Sequence, residues 1–460
     1  MKTFSTNTLG CKVNQYESQQ IRQFLEELGL KQTVLTKKPD LVVINTCCVT
    51  HTASAKSRQA IRKSQKLNPH SVIVVIGCLP AVQLGEMNSL TSQNLHIVSN
   101  RQNLANTLYR IIQSQTTDTD IPISQSQDSR FIKADNHTKI KSKNDLFNLS
   151  QLGQLTSNKG HTRAFLKVQD GCDSCCSYCI IPKTRPLIGS KPPDSVLAEA
   201  TALVEAGHKE IVVTGVNLGA YNQKTTRQKN WPNQENNQLP ILLNKLAQIP
   251  NLKRIRISSL APADVTDLLI ETIANHPNIM PHLHLSLQSG SDNTLKRMCR
   301  QYTAADFLKT VENIKKNLDS PAITTDIIVG FPGETDEDFQ QTVDLAKKVG
   351  FAKIHVFPFS ARKGTAAAAM SSPLDSSVIK HRSQVLRDLD SRLSYEFRQQ
   401  FVGSTAEILI EGAETITQGR AERYFMVQLK KSSQSIKKNN LIKVKLIENT
   451  KTTMLAKFET

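Results

Sequence analysis

Acid is what this chain is short of. Its 460 residues hold 40 Asp and Glu against 58 Lys and Arg, a formal net charge of +18. Such an excess favours a polyanionic partner, although a generally basic proteome would account for it equally well. Cysteine is scarce too, with nine in the whole length, in two groups plus Cys299. That is too few for a disulfide framework, and it fits a reducing, cytoplasmic setting. Long apolar runs are missing. The longest, residues 72–82, is too short to span a bilayer, and the first seven residues have no apolar signal core. No basic amphipathic anchor stands out, so no membrane is expected as a partner. Residues 113–160 lack periodicity, are rich in Ser, Thr, Gln, Asp and Lys, and read as a linker.

What is present centres on three cysteines in Gly171-Cys172-Asp173-Ser174-Cys175-Cys176-Ser177-Tyr178-Cys179. Cys172, Cys176 and Cys179 form CxxxCxxC, a tight loop whose thiolates converge on one point. A cubane iron–sulfur cluster has four irons and usually takes four Cys ligands. Three ligands leave one iron open, and an open coordination position separates a reactive centre from a structural one. S-adenosylmethionine can chelate such an iron through its amino and carboxylate groups. The alternative is a zinc loop or a set of buried thiols, but zinc usually takes a fourth ligand at CxxC-type spacing.

Residues 1–112 alternate between strands and helices. Strands are expected at 2–9, 41–44 and 72–76, and helices at 15–28 and 53–67. Cys11, Cys47 and Cys78 each closely follow a strand, and their separations of 36 and 31 residues are each about one βαβ unit. Strand ends of a parallel sheet share one edge, where ligands bind. The three thiols should meet there and hold a second cluster with an open iron; three unrelated buried cysteines are the plain alternative. Residues 161–375 repeat a strand–helix unit six times, with strands expected at 165–169, 211–214, 254–258, 282–288, 324–329 and 353–358. An open, partial (β/α)6 barrel follows, with the CxxxCxxC loop on its C-terminal face. Asn217, Ser258, Gln288 and Asp326 sit in or near these strands and are the expected cofactor contacts, unless they cap helices or close turns. Residues 376–400 read as a charged helix. The last stretch, 401–460, is β-rich with interleaved lysines, as in a small basic β-barrel that binds RNA or simply presents a solvated surface.

Together these motifs resemble the methylthiotransferase family of radical S-adenosylmethionine enzymes. The resemblance is carried by Thr8-Leu9-Gly10-Cys11-Lys12-Val13-Asn14-Gln15-Tyr16-Glu17, Asn45-Thr46-Cys47, Lys56-Ser57-Arg58-Gln59, Gly77-Cys78 and the cysteine loop. It extends to Thr214-Gly215-Val216-Asn217, Leu287-Gln288-Ser289-Gly290-Ser291-Asp292, Val329-Gly330-Phe331-Pro332-Gly333-Glu334-Thr335 and Gly364-Thr365. It implies an α/β chain in four parts. Residues 1–112 are a parallel-sheet methylthiotransferase domain carrying the auxiliary cluster, and 113–160 a linker. Residues 161–400 are the radical core, and 401–460 an RNA-binding barrel similar to the TRAM domain. It implies two 4Fe-4S clusters, one on Cys172, Cys176 and Cys179 and one on Cys11, Cys47 and Cys78, with S-adenosylmethionine as cofactor and Tyr178 beside its adenine. The first cluster would cleave the cofactor to a carbon radical, and the second would carry the methylthio group.

The N-terminal motif is most similar to the branch acting on N6-threonylcarbamoyladenosine at position 37 of tRNA, in the anticodon stem-loop. Sister branches act on isopentenyladenosine and on a ribosomal-protein aspartate, and a non-catalytic iron–sulfur RNA-binding regulator is the rival of another class. The chain departs from the family pattern in places. Cys48 and Cys175 neighbour expected ligands but should point away from them, and Cys299 reads as a free thiol. Ala261 stands where relatives often carry Glu, and 419–427 matches the tail domain loosely. Electron donor, sulfur source and oligomeric state are left open.

Overall fold

Every residue of Leu41–Thr46 and of Val72–Gly77 is buried. Continuous apolar strands of this kind need cover on both faces, which a parallel sheet with helices on either side provides. The computed structural model describes residues 1–82, 90, 93–99, 101, 104–114, 152–158, 160–227, 237–412, 416–430 and 436–459. Most of the expected linker, 115–151, lies outside them. At its far end Leu152 and Leu155 are buried, and Gln20 donates to the Gly153 carbonyl at 2.7 Å.

The first sheet contains β1 (Thr3–Thr8), β2 (Lys31–Gln32), β3 (Leu41–Thr46), β4 (Val72–Gly77) and β5 (Leu95–Ile97), all parallel in the order β2-β1-β3-β4-β5. Helices α1 (Lys12–Glu27), α2 (His51–Leu67), α3 (Cys78–Val82) and α4 (Leu104–Ser114) connect or cover these strands. The strand order reverses between β1 and β3, and ligand crevices open at such a switch point. Cys11 and Cys47 flank it. The short β2 and β5 escape periodicity arguments because neither is long enough to show alternation.

The second sheet is the open barrel. β6 (Arg163–Asp170), β8 (Glu210–Gly215) and β9 (Arg254–Ile257) are parallel, with a short antiparallel β7 (Gly189–Ser190) on the outer edge of β6. β10 (His282–His284), β11 (Ala322–Val329) and β12 (Lys353–Pro358) continue it, joined to β9 through single bridges at Ile255–Ile279 and Leu260–Leu285. The expected strand at 282–288 is thus only three residues of regular ladder, and Gln288 returns as an isolated bridge to Ile327. Its φ of +67° interrupts the strand there.

The tail is a closed barrel of β13 (Thr405–Gly412), β14 (Gln418–Arg420), β15 (Met426–Leu429), β16 (Leu441–Asn449) and β17 (Met454–Phe458), ordered β13-β14-β15-β17-β16. It docks under the strand starts of the larger barrel. Arg254 and Arg256 are fully buried there, and Arg256 is held by Glu210 at 2.8 Å. Their guanidinium groups donate to carbonyls of Arg420, Ala421 and Glu422 in the β14–β15 turn. Tyr424 of that turn stacks on His282, with ring centroids 4.5 Å apart, and closes the floor. Its ring also meets the guanidinium groups of Arg163, Arg256 and Arg420 within 5.4 Å.

One buried ion network ties the first domain to the large barrel. The Arg185 guanidinium meets Glu17 of α1 and Asp170 at the end of β6, each at 2.8 Å, and Lys167 reaches both carboxylates at 3.2 and 3.0 Å. Burial alone would raise the Glu17 carboxyl, but Arg185, Lys167 and Arg101 outweigh it and hold the group at about 2. A depressed carboxyl stabilises the fold above its ordinary value, and that contribution is lost as pH falls through the depressed one. Between about pH 4.5 and pH 2 the thermal unfolding midpoint should therefore drop. Circular dichroism of Glu17→Gln should show a lower midpoint at pH 7 and a shallower acid drop.

Candidate active site

Three glycine–cysteine pairs build the site. Gly10, Gly77 and Gly171 precede Cys11, Cys78 and Cys172, with φ of +112°, +101° and +80°. These values turn the chain sharply at the end of β1, β4 and β6, so that each thiol leaves the strand direction. A β-carbon on Gly171 would lie 1.9 Å from the Leu187 carbonyl oxygen, and one on Gly77 would lie 2.4 Å from that of Thr46. Neither approach is compatible with a side chain.

Cys11, Cys47 and Cys78 follow the adjacent strands β1, β3 and β4 of the first sheet. A β-carbon on Gly10 would touch Cβ of Cys47 at 3.0 Å, and Cys48, next to Cys47, reaches the Cys78 carbonyl at 3.3 Å. Asn14 braces the trio from α1. Its amide donates to the carbonyls of Leu9 and Thr46 at 2.8 and 3.0 Å, and its oxygen takes the Cys11 thiol at 3.8 Å. Arg101 reaches the Cys78 sulfur at 3.5 Å. Burial pushes the Cys47 thiol up to about 11. Cys48 itself is fully buried in the apolar cluster around Ile44, Ile61 and Leu79, with its thiol on the Cys78 carbonyl at 3.3 Å.

Cys172, Cys176 and Cys179 form the other trio. The Cys172 thiol touches the Thr226 hydroxyl at 3.4 Å, and the Arg300 guanidinium donates to the Cys176 sulfur at 3.2 Å. Burial pushes the Cys179 thiol up to about 12, with the charges of Cys176 and Cys172 adding to it. Asp173 anchors the loop by accepting from the Thr225 and Thr226 hydroxyls, both at 2.6 Å. Cys175 and Cys299 are exposed, with the Cys175 sulfur 4.0 Å from the Cys299 carbonyl. Each trio thus offers three sulfur donors with arginine beside them, the donor chemistry and counter-charge that an anionic iron–sulfur cluster requires.

The five expected cofactor contacts separate. Asn217 lines a cavity beside Cys176 that also includes Ala261, Arg300 and Tyr302, and its backbone N–H is held by Gln169 at 2.7 Å. Tyr178 packs on Met298, Phe331 and Ala367, next to the Gly330–Gly333 turn. Ser258 and Gln288 are buried, and the Gln288 N–H donates to the Asp326 carbonyl at 2.8 Å. The Asp326 carboxylate faces inward instead, 3.3 Å from His284 Nε2. With His355 these two form a group whose polar atoms lie within 4.8 Å of one another. Sequence reasoning missed Arg101, Arg185, Arg300, His284 and His355. No local signal marks the arginines, since Arg300 and Cys176 are 124 residues apart. Gly77→Ala should lose the first trio's metal and keep the second's, halving the iron bound after anaerobic reconstitution.

Comparison with known proteins follows these boundaries. Residues 166–346 match a family model described as the Radical SAM superfamily, and residues 3–99 match one described as uncharacterized protein family UPF0004. The threonylcarbamoyladenosine tRNA methylthiotransferase MtaB of Bacillus subtilis is 36% identical over 97% of this chain and 94% of its own length. Its namesake from Chlamydia pneumoniae is 37% identical over 89% of this chain and 87% of its own. A tRNA-2-methylthio-N(6)-dimethylallyladenosine synthase of Acetivibrio thermocellus is 32% identical over 89% and 81%. Among solved structures, the radical S-adenosylmethionine methyltransferase TsrM of Kitasatospora setae covers 78% of this chain and 75% of its own at TM-score 0.51 and 15% identity, a likeness of fold. By sequence over nearly its whole length, and with two cysteine trios at strand ends, the chain belongs to the radical S-adenosylmethionine methylthiotransferase family.

Proposed function

We propose that this chain is a tRNA methylthiotransferase that replaces the hydrogen on carbon 2 of N6-threonylcarbamoyladenosine-37 with a methylthio group. The observation that carries the reading is the pair of separate thiol trios, one following the parallel strands β1, β3 and β4 and the other in the loop after β6. A binding module needs one cluster at most, and a simple radical enzyme needs only the barrel's.

In this reading Cys172, Cys176 and Cys179 hold one 4Fe-4S cluster, and Cys11, Cys47 and Cys78 hold the other. Bound there with S-adenosylmethionine, the clusters supply a carbon radical able to take an unreactive ring hydrogen and a methylthio group to replace it. The chain's own task is positional. Tyr178 and the Gly330–Gly333 turn offer an apolar wall for a flat adenine, and Asn217 offers polar contacts beside Cys176. Arg300 places positive charge against the Cys176 sulfur. The anticodon stem-loop is the part of tRNA that presents an unstacked base at little cost. Arg62 of α2 and Lys437 and Lys443 of the tail are exposed and suited to phosphates.

The test is mass spectrometry of tRNA nucleosides from cells with and without the gene. Loss of 2-methylthio-N6-threonylcarbamoyladenosine alone supports the proposal. Loss of the methylthio-isopentenyl nucleoside instead assigns the chain to the sister branch. Complementation with Cys176→Ala should restore no product, because the barrel's trio is then broken.

A further inference from the structure

One phenylalanine keeps its ring in the open. Among the described residues Phe357 is the only exposed one, at 42%, and it joins none of the apolar clusters. It lies on β12, whose ladder with β11 pairs Asp326 with His355 and Ile328 with Phe357. Residues two apart on a strand share a face, so Phe357 stands on the side of Asp326 and His355. That side is the barrel interior. Asp326 meets His284 across it at 3.3 Å, and His282 of the same face is covered by Tyr424 of the floor. The opposite face carries Ile323, Ile327, Val329 and Ile354, all buried in the main core. A lone apolar residue on a convex surface needs no explanation. On the concave wall of a barrel it faces the space that a ligand enters.

The ring lies between the supports of the two trios. Its ladder partner Ile328 packs, as Tyr178 does, against Met298, Phe331 and Ala367, and Tyr178 sits between Cys176 and Cys179 in the chain. Three residues beyond Phe357, the Ser360 hydroxyl accepts the N–H of His51 at 2.9 Å, where the loop after Cys47 turns into α2. Asp326 and His355 lie one pleat deeper, about 6.6 Å down the strands. The helix that starts at the Ser360 contact is strongly basic. Its 17 residues contain no Asp or Glu, and Lys56, Arg62, Lys63 and Lys66 on it are exposed. A flat apolar surface thus adjoins a cationic helix. That combination suits a nucleic-acid strand, whose phosphates take the cations and whose unstacked base takes the ring. An apolar peptide would use the ring alone.

Resting on the tRNA reading above, we propose that Phe357 is the platform on which the base at position 37 lies once it has left the loop stack. The cofactor's adenine has its own wall at Tyr178 and the Gly330–Gly333 turn, which leaves Phe357 to the second flat group that the reaction requires. The base lies face-on to the ring, and α2 holds the neighbouring phosphates. Stacking uses the purine face and not the N6 substituent. The platform therefore orients the base and leaves the choice between sister substrates to other residues.

A coupling cycle tests this. Two anticodon stem-loop RNAs, one with threonylcarbamoyladenosine at position 37 and one abasic there, are bound to the full, reconstituted native chain and to Phe357→Leu. The leucine keeps apolar bulk and removes the ring face. The native chain should bind the abasic RNA roughly 5- to 150-fold more weakly, the worth of one base stacked on an aromatic ring. Phe357→Leu should lose a similar factor on the intact RNA and nothing further on the abasic one. Its kcat/KM for methylthio product should fall with its affinity, and Phe357→Tyr should stay close to native. A Phe357→Leu chain that binds the intact RNA as tightly as the native chain overturns the platform. So does one that loses as much as the native chain when the base is removed. If Phe357→Leu does not hold its clusters, an azidophenylalanine in place of Phe357 decides. A photocrosslink to nucleotide 37 supports the platform, and a crosslink elsewhere in the RNA, or none, overturns it. A native chain that binds no anticodon stem-loop overturns the tRNA reading itself, a different result from binding that ignores base 37.

Discussion

Arg185 is the joint on which the two halves of the site depend. Its backbone carbonyl accepts the N–H of Cys172, at the head of one trio, at 3.0 Å. Its guanidinium holds Glu17 and Asp170, and also Asn14 at 3.3 Å. Asn14 in turn ties the ends of β1 and β3 beside the other trio. One side chain thus touches the support of both sets of thiols. A buried arginine with two carboxylates is costly to desolvate and adds little net stability, but breaking it leaves charges stranded. Its value here is in fixing register between two domains.

Further contacts reinforce that register. Tyr16 of α1 donates to Glu199 of the barrel domain at 2.8 Å, and Lys191 bonds both. Arg362 reaches Ser54 at the start of α2 at 2.9 Å. The tail works from the other side. Its turn plugs the strand starts with Tyr424, held at φ +73° by packing against His282 and the surrounding arginines. A non-glycine residue in that region is strained, and the buried Arg254 and Arg256 contacts hold it in place. The barrel is therefore sealed below, and its chemistry is confined to the side facing the cysteines.

Much of this was legible in the sequence, for physical reasons. Buried parallel strands announce themselves as apolar runs, and 41–44 and 72–76 needed only two and one more residues to reach their full extent. Cysteines just beyond such strands had to share an edge. Two-residue β2 and three-residue β5 and β14 lie below the length at which periodicity speaks. Asp326 was singled out by its place on a strand, but its inward direction and its partners His284 and His355 were not. Long-range ion pairs leave no local trace, since Glu17 and Arg185 are 168 residues apart.

The most direct measurement of the central relation is magnetic. Reduced 4Fe-4S clusters are paramagnetic, and two of them held across one joint should broaden each other's electron paramagnetic resonance. The fully loaded native chain should show that spin–spin interaction, and Arg185→Met should weaken it while iron content is retained. Two sharp, independent cluster signals in the native chain, or iron for a single cluster, would contradict a site built from two facing trios.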